Sequence, residues 1–248
     1  MPLYNAMIQF YLKYIHKHRV SVLHAHTLTD ALFFLPLQRA TGLPFFISVR
    51  GNDLYTNDFS LDAIDATFLA RCDAMKQVLL NRGAKNVIVQ KSGIIMYPTQ
   101  HCHSSTICMI GRLVEKKGTM QGVKIFDQFA DNHPEARLLI IGNGPLKQKV
   151  FKTIDAAKHA SRIRLIDHLP NEKIRELLNK TKVLLHPSMT ASDNDQEGIP
   201  NVIMEAMAAG AAVVASDCPG IRELVKDTGY LFEQQSDAAM QLEKAYHA

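Results

Sequence analysis

Five short apolar runs in the second half of the chain constrain its fold more than any other feature. They are TICMIG (106–111), ARLLIIG (136–142), RIRLID (162–167), KVLLHPS (182–188) and AAVVAS (211–216). Each has the length of a strand, and with helices between them they read as the strands of a sheet covered on both faces. Between them, residues 119–131, 145–159, 171–179 and 200–210 read as helices. Strand and helix in strict alternation predict a doubly wound parallel α/β sheet, whose ligands bind beyond the C-terminal strand ends.

The first half repeats the theme on a smaller scale. SVLHAH (21–26) reads as a strand, TDALFFLPLQRATG as a helix closed by Gly42, and LPFFISVRG (43–51) as a second strand, which together make a right-handed βαβ unit. A helix over 61–81, ending at Gly83, and a strand at NVIVQKSG (86–93) complete it. His24, His26, Arg50, Gly51 and Asn52 then fall at the strand-end rim, where the two histidines fit a structural role as well as a functional one. Ahead of this unit, residues 4–19 carry Met7, Ile8, Tyr11, Leu12 and Ile15 at helical spacing, with Lys13, His16, Lys17, His18 and Arg19 toward the end. Such a helix packs on the sheet, or its basic end meets an anionic membrane surface.

Residues 96–106 are polar, aperiodic and contain Pro98, so they read as a linker. The chain thus divides into domains at 1–100 and 101–248. A net charge of +4 over 248 residues, without a dense basic stripe, argues against nucleic acid as a partner but suits phosphates. The four cysteines, Cys72, Cys102, Cys108 and Cys218, show no CxxC spacing. With no secretory signal in view, they read as reduced thiols of a cytoplasmic protein. His101, Cys102 and His103 are adjacent in the linker and poorly spaced for a tetrahedral metal site. No apolar run is long enough to span a membrane.

The chemistry concentrates at strand ends. Arg112 and Lys117 with Gly118 follow the first run of the second half. Taken alone they fit a surface ion-pair cluster with Glu115 better than a phosphate site, although an Arg fork and a Lys beside a helix start suit a diphosphate. Gly142, Asn143, Gly144 and Pro145 follow the second run and form a tight βα turn. A long acidic loop, MTASDNDQEG (189–198), follows the fourth and delivers Glu197 to the stretch EGIPNVIMEAMAAGAAVVAS. Within that apolar stretch Glu205 is the single charge after Gly198. A carboxylate there must be paired or open to a polar cleft. Asn201 and Glu205 share a helix face at i, i+4, and two hydroxyls such as a ribose offers would satisfy Glu205.

Residues 111–118 (GRLVEKKG), the turn Gly142-Asn143-Gly144-Pro145, and Glu197-Gly198-Ile199-Pro200-Asn201 through Glu205-Ala206-Met207 resemble the C-terminal domain of family 4 retaining glycosyltransferases of the GT-B fold. The segment SDNDQEGIPNVIMEAMAAG is particularly similar to the bacterial exopolysaccharide and colanic-acid branch. The resemblance implies two Rossmann-like doubly wound domains, the first incomplete, with a nucleotide-diphospho-sugar donor held by the second. It implies that Arg112 and Lys117 bind the diphosphate and stabilise the leaving group, that Glu197 acts on the donor sugar and Glu205 on the ribose. Gly144, Gly198, Ile199, Pro200 and Asn201 would complete the donor edge, with no metal and no cofactor beyond the donor substrate.

The expected activity is sugar transfer, with retention, to a glycan or lipid-linked acceptor in cell-surface polysaccharide biosynthesis, in the cytoplasm or peripherally at the inner membrane face. The expected acceptor side is His24, His26, Arg50 and Asn52. Arg50 stands where relatives often carry a catalytic histidine. The opening strands and the helix that crosses back to the first domain are expected to be missing. The alternatives are therefore a catalytically impaired fragment that binds a nucleotide or nucleotide-sugar without transfer, or a GT-B relative such as a nucleotide-sugar epimerase.

Overall fold

The computed structural model describes residues 2–56, 58–96 and 104–248. The His101, Cys102 and His103 cluster and most of the expected linker lie outside the described residues. The chain forms two compact units, Met1–Lys91 and Ser92–Ala248, divided several residues before the expected boundary at 100/101.

Unit 1 runs α1 (Pro2–His18), β1 (Leu23–Ala25), α2 (Leu28–Thr41), β2 (Phe45–Ser48), α3 (Gly51–Tyr55), β3 (Thr67–Ala70), α4 (Asp73–Asn81) and β4 (Asn86–Val89). Among the described residues its strands form a parallel sheet in the order β1-β2-β3-β4. Helix α2 begins where the Thr27 hydroxyl accepts from the Asp30 amide, and it stops at Gly42, left-handed at φ 64°. Helix α1 packs on α2 through edge-to-face pairs Tyr4–Phe33 and Tyr11–Phe34.

One expected element is wrong. The helix expected over 61–81 is a turn, the strand β3 and the shorter helix α4. Leu61, Ile64, Phe68, Met75 and Leu79 are all buried, and their spacing imitates a helical stripe. What decides the outcome is the sheet: Thr67–Ala70 fills the place between β2 and β4, pairing with both, and so satisfies backbone groups on three strands.

Unit 2 runs β5 (Thr106–Ile110), α5 (Thr119–Phe129), β6 (Arg137–Ile141), α6 (Lys147–Asp155), β7 (Ile163–Ile166), α7 (Asn171–Leu178), β8 (Val183–His186), α8 (Asn201–Ala208), β9 (Ala212–Ser216), α9 (Pro219–Val225), β10 (Tyr230–Phe232) and α10 (Gln235–His247). All five expected strands form, and β10 joins as a sixth beside β9. Three residues at the sheet edge, two of them half-buried, leave too short an apolar run to register as a strand in sequence.

The order β10-β9-β8-β5-β6-β7 is wholly parallel. Strand β5 shows why both faces are apolar: Ile107 and Met109 enter the core with Val123, Phe126 and Leu242, while Cys108 enters the opposite core with Leu184, Ile203 and Val213. Burial pushes the Cys108 thiol up to about 11, so it stays protonated in the core, where it accepts from the Thr181 hydroxyl. Cys72 and Cys218 are also free thiols.

Candidate functional site

From β5 the chain winds outward through β6 and β7, then crosses to β8 on the other side of β5 and winds outward again. The loops after β5 and β8 therefore diverge in opposite directions and leave a crevice between them, the switch point where such sheets bind ligands. The sequence builds this crevice closely. Gly118 sits at φ 57°, and a Cβ there would lie 1.8 Å from the Pro187 carbonyl oxygen, so only glycine lets the two loops touch. The turn after β6 is equally tight: a Cβ on Gly142 would meet the Gly111 oxygen at 1.9 Å, and one on Gly144 the Leu113 oxygen at 2.6 Å. Leu113 donates to the Asn143 oxygen at 2.9 Å and accepts from the Leu146 amide at 3.0 Å. Gly144 and exposed Pro145 thus support the Arg112 loop from behind.

The loop after β8 is tied to the short 3-10 turn Glu115–Lys117 at four points. Met189 donates to the Lys116 oxygen at 2.9 Å, and the Ser192 hydroxyl donates to Glu115 at 2.8 Å. Lys116 reaches both carboxylate oxygens of Asp195 at 2.9 and 2.8 Å, with side chains only 10% and 13% exposed. Lys117 Nζ lies 2.6 Å from Glu197 Oε1, their side chains 18% and 7% exposed. The expected surface cluster around Glu115 does not form. Glu115 holds Ser192, and Lys117 pairs with Glu197 across the crevice.

Three buried side-chain polar atoms in the described residues have no hydrogen-bond partner: His186 Nε2, Ser188 Oγ and Glu197 Oε1. All three belong to the end of β8 and the loop it feeds. The Glu197 contact with Lys117 is therefore one of charge, made at angles that leave Oε1 without a hydrogen bond. Burial, with Lys117 nearby as the smaller cause, holds His186 down to about 3, so its ring is neutral at physiological pH. Burial and then the Glu197 charge raise the Cys218 thiol, which places Cys218 in the field of the same carboxylate. Arg112 is exposed on the loop after β5, and no partner for its guanidinium is found among the described residues.

Beyond Glu197, Gly198 and Ile199 are half-buried and Pro200 is buried just ahead of α8. Glu205, half-buried on α8, lines a cleft of about 190 Å³ with Asn201, Arg175 and Asn179, and neither Glu197 nor Lys117 borders that cleft. The structure thus brings Lys117, Glu197 and the glycine turns together, and it sets Glu205 with Asn201 further along α8.

In unit 1 the rings of His24 and His26 lie 4.5 Å apart, His24 Nε2 is 2.8 Å from the Ser48 hydroxyl, and Arg50 Nε donates to the His26 oxygen at 3.3 Å. Burial first, and His26 second, lower the His24 pKa. Asn52 is exposed in the first turn of α3. Buried Asp53, overlooked in sequence, anchors this rim by accepting from the Leu28 and Arg50 amides at 2.6 and 2.7 Å. Arg71 lies in the segment expected to be helical; burial first, and repulsion from nearby Arg50 second, lower its pKa. His186 and Ser188 carried a readable signal, a polar ending on a fully apolar strand. Lys116 and Asp195 carried none, being 79 positions apart.

Residues 103–246 match the family model described as glycosyl transferases group 1. Among curated proteins, the amylovoran biosynthesis glycosyltransferase AmsK of Erwinia amylovora is 35% identical over 120 residues, which are 48% of this chain and 30% of that protein. The putative colanic acid biosynthesis glycosyltransferase WcaL of Escherichia coli K12 is 32% identical over 136 residues, 54% of this chain and 34% of WcaL. The aligned region is thus about a third of these relatives' length. Among solved structures, HepE of Anabaena in complex with UDP superposes with a TM-score of 0.81 at 18% identity, covering 99% of this chain and 72% of HepE. TarM of S. aureus superposes with a TM-score of 0.71 at 16% identity, over 87% and 47% of the two chains. The parallel-sheet units, the switch-point crevice and the matched segment together make this chain a member of the glycosyl transferases group 1 family, with the GT-B fold.

Proposed function

We propose that the chain carries the donor-binding half of a retaining glycosyltransferase acting in cell-surface polysaccharide biosynthesis, with a nucleotide-diphospho-sugar as donor and a glycan or lipid-linked acceptor. The observation that carries this reading is the convergence on one crevice of Lys117, Glu197 and the orphaned polar atoms of His186 and Ser188. A phosphate-bearing ligand offers Lys117 a second anion, and its sugar hydroxyls can satisfy the Glu197 carboxylate.

In this reading Lys117 and Arg112 bind the diphosphate. When the bond from the sugar's anomeric carbon to the diphosphate oxygen breaks, the charge gathers on that oxygen, and fixed cations stabilise it without reorganising. Glu197 holds Lys117 in place beforehand, then faces the sugar as the phosphate takes over as counterion. The acceptor hydroxyl attacks from the leaving-group side and gives its proton to the departing phosphate, which retains the anomeric configuration. Glu205 and Asn201 hold the ribose. His24, His26, Arg50 and Asn52, with Arg71, form the acceptor rim, and its two arginines suit a phosphate-bearing acceptor. No helix among the described residues is long and apolar enough to cross a membrane. The exposed Phe10 and Tyr14 of α1, beside Lys13 and Lys17, offer a peripheral contact with an anionic bilayer.

The test is a thermal-shift screen against UDP, GDP, ADP and their sugars, followed by NMR assignment of the product's anomeric configuration. A selective shift with a retained product supports the proposal. Donor binding without transfer to any acceptor would sink the catalytic part of it.

A further inference from the structure

Away from the crevice, unit 2 gathers a second group of chemistry-bearing side chains. His133 lies in the connection from α5 to β6, and thus at the N-terminal edge of the sheet, opposite the donor crevice. Glu243 and His247 stand at i, i+4 on α10. One ligand atom from each of the three, a ring nitrogen of each histidine and a Glu243 oxygen, falls within 4.8 Å of the others. Glu243 spans the pair, with Oε2 at 2.8 Å from His133 Nε2 and Oε1 at 3.0 Å from His247 Nε2.

We propose that His133, Glu243 and His247 form a binding site for a divalent transition cation of the zinc class, which clips α10 to the α5–β6 connection. Two imidazoles and a carboxylate select zinc-like ions over the hard, oxygen-seeking Mg2+ and Ca2+. Such ions sit about 2.0–2.2 Å from nitrogen and oxygen ligands in tetrahedral sites, which puts the ligand atoms roughly 3.3 Å apart. The present spacings reach that value through small rotations of two side chains that are 46% and 63% exposed.

The third ligand is held ready. The His133 ring stacks on Phe129 with centroids 4.1 Å apart and planes 10° from parallel, and Tyr246 flanks it at 5.1 Å. Its carbonyl accepts from Arg162 at 2.6 Å. A supporting carboxylate is also present: Glu135 Oε1 lies 3.4 Å from His133 Nδ1 and accepts from the Tyr246 hydroxyl at 3.0 Å. A metal-bound histidine characteristically donates its other ring N–H to such a carboxylate, which fixes the tautomer with Nε2 free to bind. The fourth position opens to solvent on the His247 side, where water completes the coordination. The site's place at the far edge of the sheet makes the ion a brace for α10, whose Ala238, Leu242 and Ala245 close the core, and keeps it out of sugar transfer.

Tag-free, chelator-treated protein is titrated with Zn2+ by calorimetry and with Co2+ by visible absorption, beside His247→Ala and Glu243→Gln. His247 is exposed and Glu243 half-buried at the surface, and neither belongs to the hydrophobic core. The expected result is one equivalent of Zn2+ bound, the intense visible bands of four-coordinate Co2+, a Zn2+-dependent rise in Tm that Mg2+ does not reproduce, and at least tenfold weaker binding in each variant. Absence of one-equivalent binding in the wild type, or less than tenfold weakening in either variant, overturns the proposal.

Discussion

Lowering the pH from 7 to 5 tests the burial of His186. In the folded chain its ring is buried and neutral with a pKa near 3, against 6.5 when exposed. A histidine depressed in this way contributes stability that is complete above the unfolded pKa and declines as pH falls from 6.5 toward 3, because only the unfolded chain takes up the proton. At pH 7 the loss is small. At pH 5 the unfolded imidazole lies 1.5 pH units below its pKa, which at about 1.4 kcal/mol per unit amounts to roughly 2 kcal/mol. The perturbation is His186→Gln, which keeps a polar side chain without the titration. Wild type and variant are unfolded in urea at pH 7, 6 and 5, with hydrogen exchange of the β8 amides as the local readout. Every other titrating group is common to both, so the difference between the two pH profiles isolates His186. The wild type is expected to lose about 2 kcal/mol more than the variant between pH 7 and 5. Parallel profiles would refute the reasoning, since they would mean that the ring takes up its proton equally in both states.

Glu197→Ala leaves Lys117 without its counterion in a half-buried crevice and is expected to lower the stability of the ligand-free protein by about 3 kcal/mol. A nucleoside diphosphate should then raise Tm more in the variant than in the wild type, and an equal shift would mean that phosphate does not replace the carboxylate. Glu205→Ala should instead weaken nucleotide binding with little loss of ligand-free stability, read by calorimetry. Asp195→Asn strands the Lys116 ammonium and should cost on the order of 3 kcal/mol and speed proteolysis within 189–198, whereas the double change Lys116→Met with Asp195→Leu recovers most of the stability. Gly118→Ala drives a Cβ into the Pro187 carbonyl and imposes a left-handed alanine. A loss of about 3 kcal/mol in urea unfolding is expected, and a neutral result would show that the loops are not in contact.

Much of this architecture is legible in the chain itself. The five apolar runs of the second half become five parallel strands, four of them inside the sheet, where a strand covered on both faces must be largely apolar, and β7 at its edge, where Arg164 is tolerated. The glycines after β5 and β6 mark close backbone approach, and Gly42 marks a helix end, for steric reasons that act within a few residues. The failures have the same origin in reverse. The run 61–81 has a helical stripe, yet β3 takes Thr67–Ala70 because two neighbouring strands offer it hydrogen bonds that no local pattern records. Strand β10, three residues long, is too short to register.

The candidate site divides along the same line. The sequence by itself determined the residue types at the strand ends, Arg112, Lys117, the glycine turns, Glu197 and Glu205, and their placement follows from the alternation of strand and helix. Only the tertiary structure decided which of them meet. Lys117 faces Glu197 and not Glu115, Lys116 is buried against Asp195, Glu205 opens onto a cleft with Arg175, and His186 lies neutral beneath the crevice. Strand order is the physical reason: β5 and β8 are neighbours in space but about 75 residues apart in the chain. Contacts between their loops depend on a crossover that local spacing does not encode.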